Sequence, residues 1–136
     1  MTNVEQVNEY LQNAGMYYIA TADENAQPHV RIFTSHAVVN GKLYIQTNKT
    51  KEVFKQILAN PKVEICAFNK GKWMRITGEL VHDDTTAARK SVLDAQPELR
   101  TAYHYDENDG VCAVLYFSSA KAVIYSFTDA PVEIDI

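Results

Sequence analysis

Apolar side chains recur at helical spacing at the start of the chain and then give way to alternating patterns. Val4, Val7, Tyr10 and Leu11 lie three or four positions apart, which places them on one face of a helix. Gly15 follows directly and is a typical stop for a helix. The pattern predicts a short amphipathic N-terminal helix.

The next segments alternate between apolar and polar positions, as strands with one buried face do. Residues 17–22 form the first strand, a polar turn follows, and residues 29–35 form the second. In the second strand one face carries Val30, Ile32 and Thr34, and the other carries His29, Arg31, Phe33 and Ser35. Further strands flank Asn40-Gly41, which suits the two positive φ values of a type I′ hairpin turn.

The middle of the chain predicts a helix between two strands. Thr50 is the expected cap, Asn60-Pro61 ends the helix, and its apolar face carries Val53, Phe54, Ile57 and Leu58. Strands are predicted at residues 63–68 and 73–81. Gly78 interrupts the latter, and a glycine there often marks a bulge or a bend.

The last third predicts a second helix, capped within residues 83–86, and a helical turn that begins at Pro97. Two final strands are expected at residues 111–117 and 122–127, with the acidic tail at the periphery. Short turns and few parallel βαβ units favour a mainly β protein with packed helices (α+β), an antiparallel barrel in one domain of residues 1–136.

Charge and hydropathy exclude several classes of protein. Thirteen basic and 17 acidic residues give a net charge of −4, without the basic stripe of a nucleic-acid-binding protein. The longest apolar run, residues 111–117, is far shorter than the roughly 20 residues that cross a membrane. The N-terminus lacks a signal-peptide pattern, so we expect a cytoplasmic protein in which Cys66 and Cys112 are inert buried thiols.

The turn between the fourth strand and the next helix is the first candidate site. A strand that turns directly into a helix presents free backbone N–H groups and the positive end of the helix dipole. Lys49 and Lys51 stand there, where cations are unfavourable unless an anion binds, and Thr47, Asn48 and Thr50 add short polar groups. The turn predicts a phosphate site, with a solvated helix start as the alternative.

Two further positions extend this site. Arg31 shares a strand face with Phe33, a poor place for a charge without a partner, so Arg31 and Lys51 are candidates for a phosphate clamp. An ion pair with Glu79, or exposure on an outer face, is the alternative for Arg31. Trp73, followed on the same strand face by Arg75, is a core or interface residue or the wall of a pocket for a flat heterocycle.

No other motif carries chemistry. The four histidines, His29, His36, His82 and His104, follow no metal-ligand spacing, and no dinucleotide-binding, Walker-type or nucleophile-elbow motif occurs. The protein shows no nucleophile of its own, so a cofactor would have to supply any reactivity.

Three segments occur in an ordered combination: residues 18–33 (YIATADENAQPHVRIF), 43–61 (LYIQTNKTKEVFKQILANP) and 72–78 (KWMRITG). With this combination, the chain resembles the pyridoxamine 5′-phosphate oxidase-like, FMN-binding split-barrel family over residues 4–127. The resemblance implies an antiparallel split β-barrel and a homodimer with two FMN sites at the subunit interface.

The resemblance also implies roles by position. Those expected to line the flavin and its side chain are Val30, Arg31, Ile32 and Phe33. Those expected to hold the ribityl phosphate are Thr47, Asn48, Lys49 and Lys51. Trp73 and Arg75 are expected near the ring system, with the partner subunit as one source of them.

The sequence departs from the true oxidases after residue 127. Those enzymes continue into a Trp- and Arg-containing segment that helps to bind pyridoxal phosphate, and residues 127–136 have no equivalent. Oxidation of pyridoxamine phosphate is therefore not expected, and the chain looks closer to a short branch with nitroimidazole-resistance-type flavoproteins. The leading hypothesis is an FMN-dependent oxidoreductase for a small electron acceptor. The alternatives are a flavin carrier or redox sensor, or a barrel that binds haem or a deazaflavin.

Overall fold

Four helices and eight strands follow one another in the computed structural model, which describes residues 1–136. In chain order they are α1 (Asn3–Ala14), β1 (Tyr17–Ala22), β2 (Pro28–Phe33), β3 (Ala37–Val39), β4 (Lys42–Asn48), α2 (Glu52–Ala59), β5 (Lys62–Asn69), β6 (Lys72–Asp83), α3 (Thr86–Ala95), α4 (Glu98–Thr101), β7 (Cys112–Ser126) and β8 (Val132–Asp135). No helix among them combines the length and the apolar character needed to cross a membrane.

All eight strands pair in one sheet, in the order β2-β1-β5-β6-β7-β4-β3 with β8 added to β7. Every pair is antiparallel. The two ends of this order, β2 and β3, are consecutive in sequence and are separated only by residues 34–36. Four Cα-to-Cα steps span at most about 14 Å, so the sheet must curl until its edges nearly meet. The result is a barrel left open along one line, here called the split, and the predicted mainly β architecture with packed helices is confirmed.

The barrel interior holds a cluster of 20 buried side chains. Val7 and Leu11 of α1 are fully buried in it, as the apolar spacing predicted. A capping box between Thr2 and Glu5 begins α1, and Gly15 at φ 83° ends it. The N-terminal helix is therefore part of the core rather than an appendage.

Two hairpin turns have left-handed backbone conformations, and the first of them is the turn predicted at Asn40-Gly41. Asn40 and Gly41 have φ values of 52° and 75°, the left-handed pair that a type I′ turn requires. Lys70 and Gly71 repeat the arrangement between β5 and β6, at 51° and 78°.

Two predictions about the C-terminal third were wrong. The strands predicted at residues 111–117 and 122–127 are parts of one long strand, β7, which runs from Cys112 to Ser126. The polar residues between them lie at a bulge, where the register of β7 against β6 shifts, so the strand continues through them. The acidic tail is not peripheral, because β8 pairs with residues 121–124 and Ile134 packs against the core.

Two details of α2 also differ from the prediction. Thr50 does not cap the helix; Lys51 occupies the cap position, and no side chain bonds to the first N–H groups. The reason is local, since Asn48 Oδ1 accepts hydrogen bonds from the N–H and the hydroxyl of Thr50 at 2.9 and 2.7 Å. Leu58, expected on the apolar face, is 56% exposed.

Gly78 lies beside the bulge that its position in a strand indicated, and β6 and β7 approach each other closely there. A Cβ atom added there would lie 2.5 Å from the carbonyl oxygen of Ser119 and 2.7 Å from the Cβ of Ala120. The register shift between β6 and β7 falls immediately after it, between Glu79 and Leu80. The glycine therefore permits the long strands to bend sharply.

Replacing Gly78 by alanine is expected to lower the free energy of unfolding by about 2–3 kcal/mol, because the backbone of β7 must shift to admit the methyl group. The matched control is Gly71→Ala, where nothing lies within 4 Å and only the positive φ is strained, at a cost of about 1 kcal/mol. Urea unfolding measures both. An equal or smaller loss at position 78 would contradict the close approach.

Candidate functional site

A cavity of about 250 Å³ lies at the split of the barrel. Its walls come from the end of β2, the segment that crosses the split, the end of β4 with the following turn, and the segment around α4. The lining residues of this split cavity are Ile32, Phe33, Thr34, Ser35, Gln46, Thr47, Lys51, Leu99, Tyr103 and Tyr105.

Side chains replace the missing strand pairing at the split. The buried hydroxyl of Ser35 donates to the carbonyl of Gln46 and accepts from its N–H, both at 2.9 Å. Gln96 donates to the carbonyl of Thr34 and accepts from the N–H of His36, again both at 2.9 Å. Tyr17 donates its hydroxyl to the carbonyl of Ser35 at 2.5 Å. These bonds hold the crossing segment still and so define one wall of the cavity.

The turn that follows β4 forms the polar end of the cavity. Lys51 is exposed and lines it. Because Lys51 is also the uncapped start of α2, the free N–H groups and the positive end of the helix dipole lie at the same place. Asn48 shapes this turn through its two bonds to Thr50. The arrangement suits an anion.

Thr47 supplies the clearest sign of a ligand. The residue is 3% exposed and lines the split cavity. Its Oγ1 atom is buried and has no hydrogen-bond partner. Buried hydroxyls are nearly always paired, because an unpaired one keeps the cost of losing its water. A polar ligand in the cavity would supply the absent partner.

Lys49, the other cation of the turn, is engaged elsewhere. Its Nζ atom lies 3.2 Å from Asp84 Oδ1, in the connection between β6 and α3. The hydrogen bond from Lys49 keeps the pKa of the Asp84 carboxyl below its usual value. Lys49 is absent from the lining of the split cavity.

Arg31 lines a second, polar cavity of about 870 Å³, on the α2 side of β2. Its guanidinium donates to Thr21 Oγ1 at 2.8 Å and to Gln56 Oε1 at 3.2 Å, and to the carbonyls of Ile19 and His29. All four acceptors are neutral, and burial lowers the pKa of Arg31. The ion pair with Glu79, which was the alternative role for Arg31, is not formed, and no carboxylate neutralises its charge.

Of the other predicted residues, Val30, Ile32, Trp73 and Arg75 lie on the outer face of the sheet. Val30 and Ile32 are 67% and 56% exposed, whereas Phe33 on the opposite face is 8% exposed and belongs to the core. Trp73 stacks on Tyr125 at 6.1 Å between ring centroids, and Arg75 pairs with Glu64 at 3.0 Å. Neither Trp73 nor Arg75 lines the split cavity of its own chain.

The segment after Pro97 supplies an aromatic wall that the sequence reasoning missed. Leu99 is buried, and Tyr103 is 55% exposed at the cavity. Tyr105 packs against a second cluster of eight buried side chains, to which Leu99 belongs. Only the helical turn was predicted there. Two tyrosines with one residue between them, directly after a short helix, are the signal that was available.

Comparisons with known proteins agree with this geometry. A family model described as pyridoxamine 5′-phosphate oxidase matches residues 4–109. The crystal structure of a NimC/NimA family protein from Clostridium acetobutylicum is 39% identical and superimposes with a TM-score of 0.92, over 98% of this chain and 92% of that one. The chain belongs to the pyridoxamine 5′-phosphate oxidase-like split-barrel family.

More distant structures share the fold of this split-barrel chain. A pyridoxamine 5′-phosphate oxidase-related, FMN-binding protein from Nostoc punctiforme is 16% identical, with a TM-score of 0.59 over 97% of this chain and 95% of that one. A haem-binding protein from Mycobacterium smegmatis is 13% identical, with a TM-score of 0.72 over 99% of this chain and 58% of that one. No curated protein sequence matches significantly. The predicted family and split-barrel fold are confirmed.

The polar side chains that line the split cavity are hydroxyls, one amide and one amine. None of its lining residues is a histidine, cysteine or carboxylate, and no cluster of such side chains is arranged for a metal ion. Burial raises the pKa of the Cys112 thiol to about 11 and also raises that of Cys66. These are not the activated thiolates of a nucleophilic site.

The unpaired hydroxyl of Thr47 leads to a prediction for the ligand-free protein. Thr47→Val keeps the shape and removes an unsatisfied group, so the free energy of unfolding is expected to stay unchanged or to rise by up to about 1 kcal/mol. The matched control is Ser35→Ala, which breaks two buried hydrogen bonds and is expected to lose about 1–3 kcal/mol. Urea unfolding of both variants without ligand measures these changes in the free energy of unfolding. An equal loss in both would mean that Thr47 is paired after all.

Proposed function

We propose that this chain binds FMN in the split cavity and acts as an FMN-dependent oxidoreductase on a small-molecule electron acceptor. The observation that carries the proposal is the buried, unpartnered hydroxyl of Thr47 beside Lys51 at the uncapped start of α2. A neutral apolar ligand would leave that hydroxyl unsatisfied. A phosphate ester supplies acceptor oxygens and negative charge together.

The ribityl phosphate would lie at the polar end of the cavity. A phosphate ester carries about −1.5 to −2 charges at neutral pH, which Lys51 and the dipole of α2 would meet directly. Thr47 would donate its free hydroxyl, and Asn48 and Lys49 would shape and charge the turn. Arg31, whose present acceptors are all neutral, lines the other cavity and not this one. It would join Lys51 as the second cation of the clamp by turning its side chain toward the phosphate.

The isoalloxazine ring would lie toward the apolar end, against Ile32, Phe33 and the aromatic wall. Flavins supply reversible hydride and electron transfer when bound, and the protein supplies binding, orientation and electrostatics. Here the rigid crossing segment would fix the position of the ring relative to the phosphate. Tyr103 and Leu99 would keep water from one side of it.

Two relatives bear on the choice between FMN and haem. The FMN-binding protein from Nostoc punctiforme shares the fold. The haem-binding protein from Mycobacterium smegmatis shares it as well, but haem iron requires an axial ligand. Tyr103 and Tyr105 are the only side chains of a haem-ligating type among the residues that line the cavity. The polar end suits a phosphate better than a porphyrin carboxylate alone, so FMN is the preferred ligand.

The decisive experiment is the visible absorption spectrum and the mass of whatever co-purifies with the protein. A flavin spectrum with the mass of FMN supports the proposal. A Soret band would show that the bound cofactor is haem, and the mass of a deazaflavin would show that it is a deazaflavin; either result contradicts FMN. Anaerobic reduction by NADH or NADPH, followed by reoxidation with a panel of quinones and nitroaromatic compounds, then tests the activity. Saturable turnover supports an oxidoreductase, and its absence across the panel leaves a flavin carrier or redox sensor.

We also propose a homodimer, with FMN at the interface between the subunits. Ligand pockets usually measure about 300–1,000 Å³, and the split cavity of one chain, at about 250 Å³, is too small to enclose FMN. The outer face of the sheet exposes large apolar side chains beside it, including Val30, Ile32 and Phe68. Apolar patches of this kind mark interaction surfaces. Trp73 and Arg75 of a second copy would supply the opposite wall.

The phosphate clamp predicts that cofactor affinity depends on the charge of Lys51. Lys51→Met is expected to weaken FMN binding about tenfold, the scale of one charge-assisted hydrogen bond, and to leave the affinity for riboflavin unchanged. Arg31→Ala should show the same selectivity. Quenching of flavin fluorescence measures both affinities.

The matched control for this prediction is Lys90→Met, which removes an equal charge from α3 at an exposed pair with Asp94. Its FMN affinity should change little. The proposed phosphate position at the turn would be contradicted if Lys51→Met lost equal affinity for FMN and riboflavin, or if neither Lys51→Met nor Arg31→Ala lost affinity for FMN.

The dimer predicts that a charge on the outer face prevents association. Ile32→Asp is expected to sediment as a monomer in the absence of cofactor, because two like charges would be buried against apolar groups. Leu58→Asp introduces the same charge on α2 at an equal exposure of 56% and should remain dimeric. If Ile32→Asp remains a dimer, the interface does not include the outer face around Ile32. If the wild-type protein is a monomer, the dimer proposal is wrong.

A further inference from the structure

A continuous chain of ion pairs, joined in the middle by one hydrogen bond to a backbone carbonyl, connects the two sides of the split cavity. Lys49 Nζ lies 3.2 Å from Asp84 Oδ1, and Arg89 Nη1 lies 2.9 Å from the same oxygen. Arg89 Nε donates to the carbonyl oxygen of Glu107 at 2.8 Å. The Glu107 carboxylate accepts from Arg100 Nη1 at 2.6 Å. We call these five residues the ionic strap.

Each end of the strap adjoins a different wall of the cavity. Lys49 belongs to the turn that carries Thr47 and Lys51, and its backbone N–H donates to the carbonyl of Val111 at 2.8 Å. Arg100 lies in α4, directly after Leu99 and three residues before Tyr103. The strap runs behind the cavity and does not line it.

Three of the five strap residues are better shielded from solvent than the members of ordinary surface pairs, while Lys49 and Asp84 are 32% and 60% exposed. The side chains of Arg89, Glu107 and Arg100 are only 15%, 17% and 28% exposed. Arg100 also donates to Asp94 at 2.9 Å, so its guanidinium is engaged on two sides. Exposed ion pairs contribute little, whereas a connected and partly buried network keeps its geometry.

We propose that the ionic strap is a positioning device, which holds the aromatic wall of Leu99, Tyr103 and Tyr105 at a set distance from the phosphate-binding turn. Lys49 acts in it through Asp84, in addition to lending charge to the turn. The wall needs such support because it stands on a helix of four residues, too short to be stable by itself. The inference rests on the proposed function for the nature of the ligand, but not for the connection between the two walls.

The connection is tested first without any ligand. Asp84→Asn keeps the shape of the side chain and removes the charge shared by Lys49 and Arg89. Amide hydrogen exchange in residues 98–109 is expected to accelerate about fivefold, although Asp84 contacts none of these residues. Asp129→Asn removes a charge of similar exposure, paired only with Lys72, and should leave this exchange unchanged. If Asp84→Asn also leaves it unchanged, the pairs are local and the strap does not exist.

The consequence for binding is tested with two ligands. Arg100→Met is expected to weaken the binding of FMN and of riboflavin by the same factor, about fivefold, because the wall contacts the ring and not the phosphate. Arg100→Lys should recover part of the loss. Lys90→Met breaks the exposed pair with Asp94 on the outside of the strap and should change neither affinity.

The outcomes separate the two proposals. A wild-type protein that binds neither flavin refutes the proposed function, while the exchange experiment still decides on the strap. If Arg100→Met reduces only the affinity for FMN, or leaves both affinities unchanged, the strap does not position the wall. Thermal unfolding of each variant shows whether it is folded, and Arg100→Lys serves in place of Arg100→Met if the latter is not.

Discussion

The structure depends on one constraint at the split, where three residues carry the chain from one edge of the sheet to the other. That short crossing forces the edges together but leaves too little chain for strand pairing. The backbone groups exposed there are satisfied by side chains instead, chiefly by Ser35 across to Gln46 and by Gln96 from the end of α3. The barrel is closed by hydrogen bonds that leave room for a cavity.

The cavity follows from that imperfect closure, and its chemistry follows from what the neighbouring elements bring to it. β4 ends at the split, so the turn into α2 delivers Thr47 and Lys51 to one side. α4 delivers Tyr103 to the other. The proposed cofactor suits this contrast, because FMN has a charged end and a flat ring. The ionic strap relates the two sides, so the positions of the phosphate and the ring would be coupled through the protein.

Local signals in the sequence were reliable where backbone chemistry alone decides. Asn40-Gly41 specified its turn, Gly78 marked the bulge between β6 and β7, and the spacing of Val7 and Leu11 specified the buried face of α1. The same reasoning failed where a distant partner decides. The polar residues predicted to separate two strands lie at a bulge between β6 and β7. Thr50 does not cap α2, because its hydroxyl donates a hydrogen bond to Asn48.

The sequence by itself determined the class of fold, the family and the turn at residues 47–51 as a candidate site, because turn types, periodicity and ordered motifs are local properties. Only the tertiary structure decided which of the site residues meet. It placed Lys51 at the cavity and tied Lys49 to Asp84, although the two lysines are neighbours in sequence. It also turned Arg31 toward Thr21 and Gln56 and set Tyr103 opposite the turn. Such contacts depend on how the sheet curls, which no short stretch of sequence encodes.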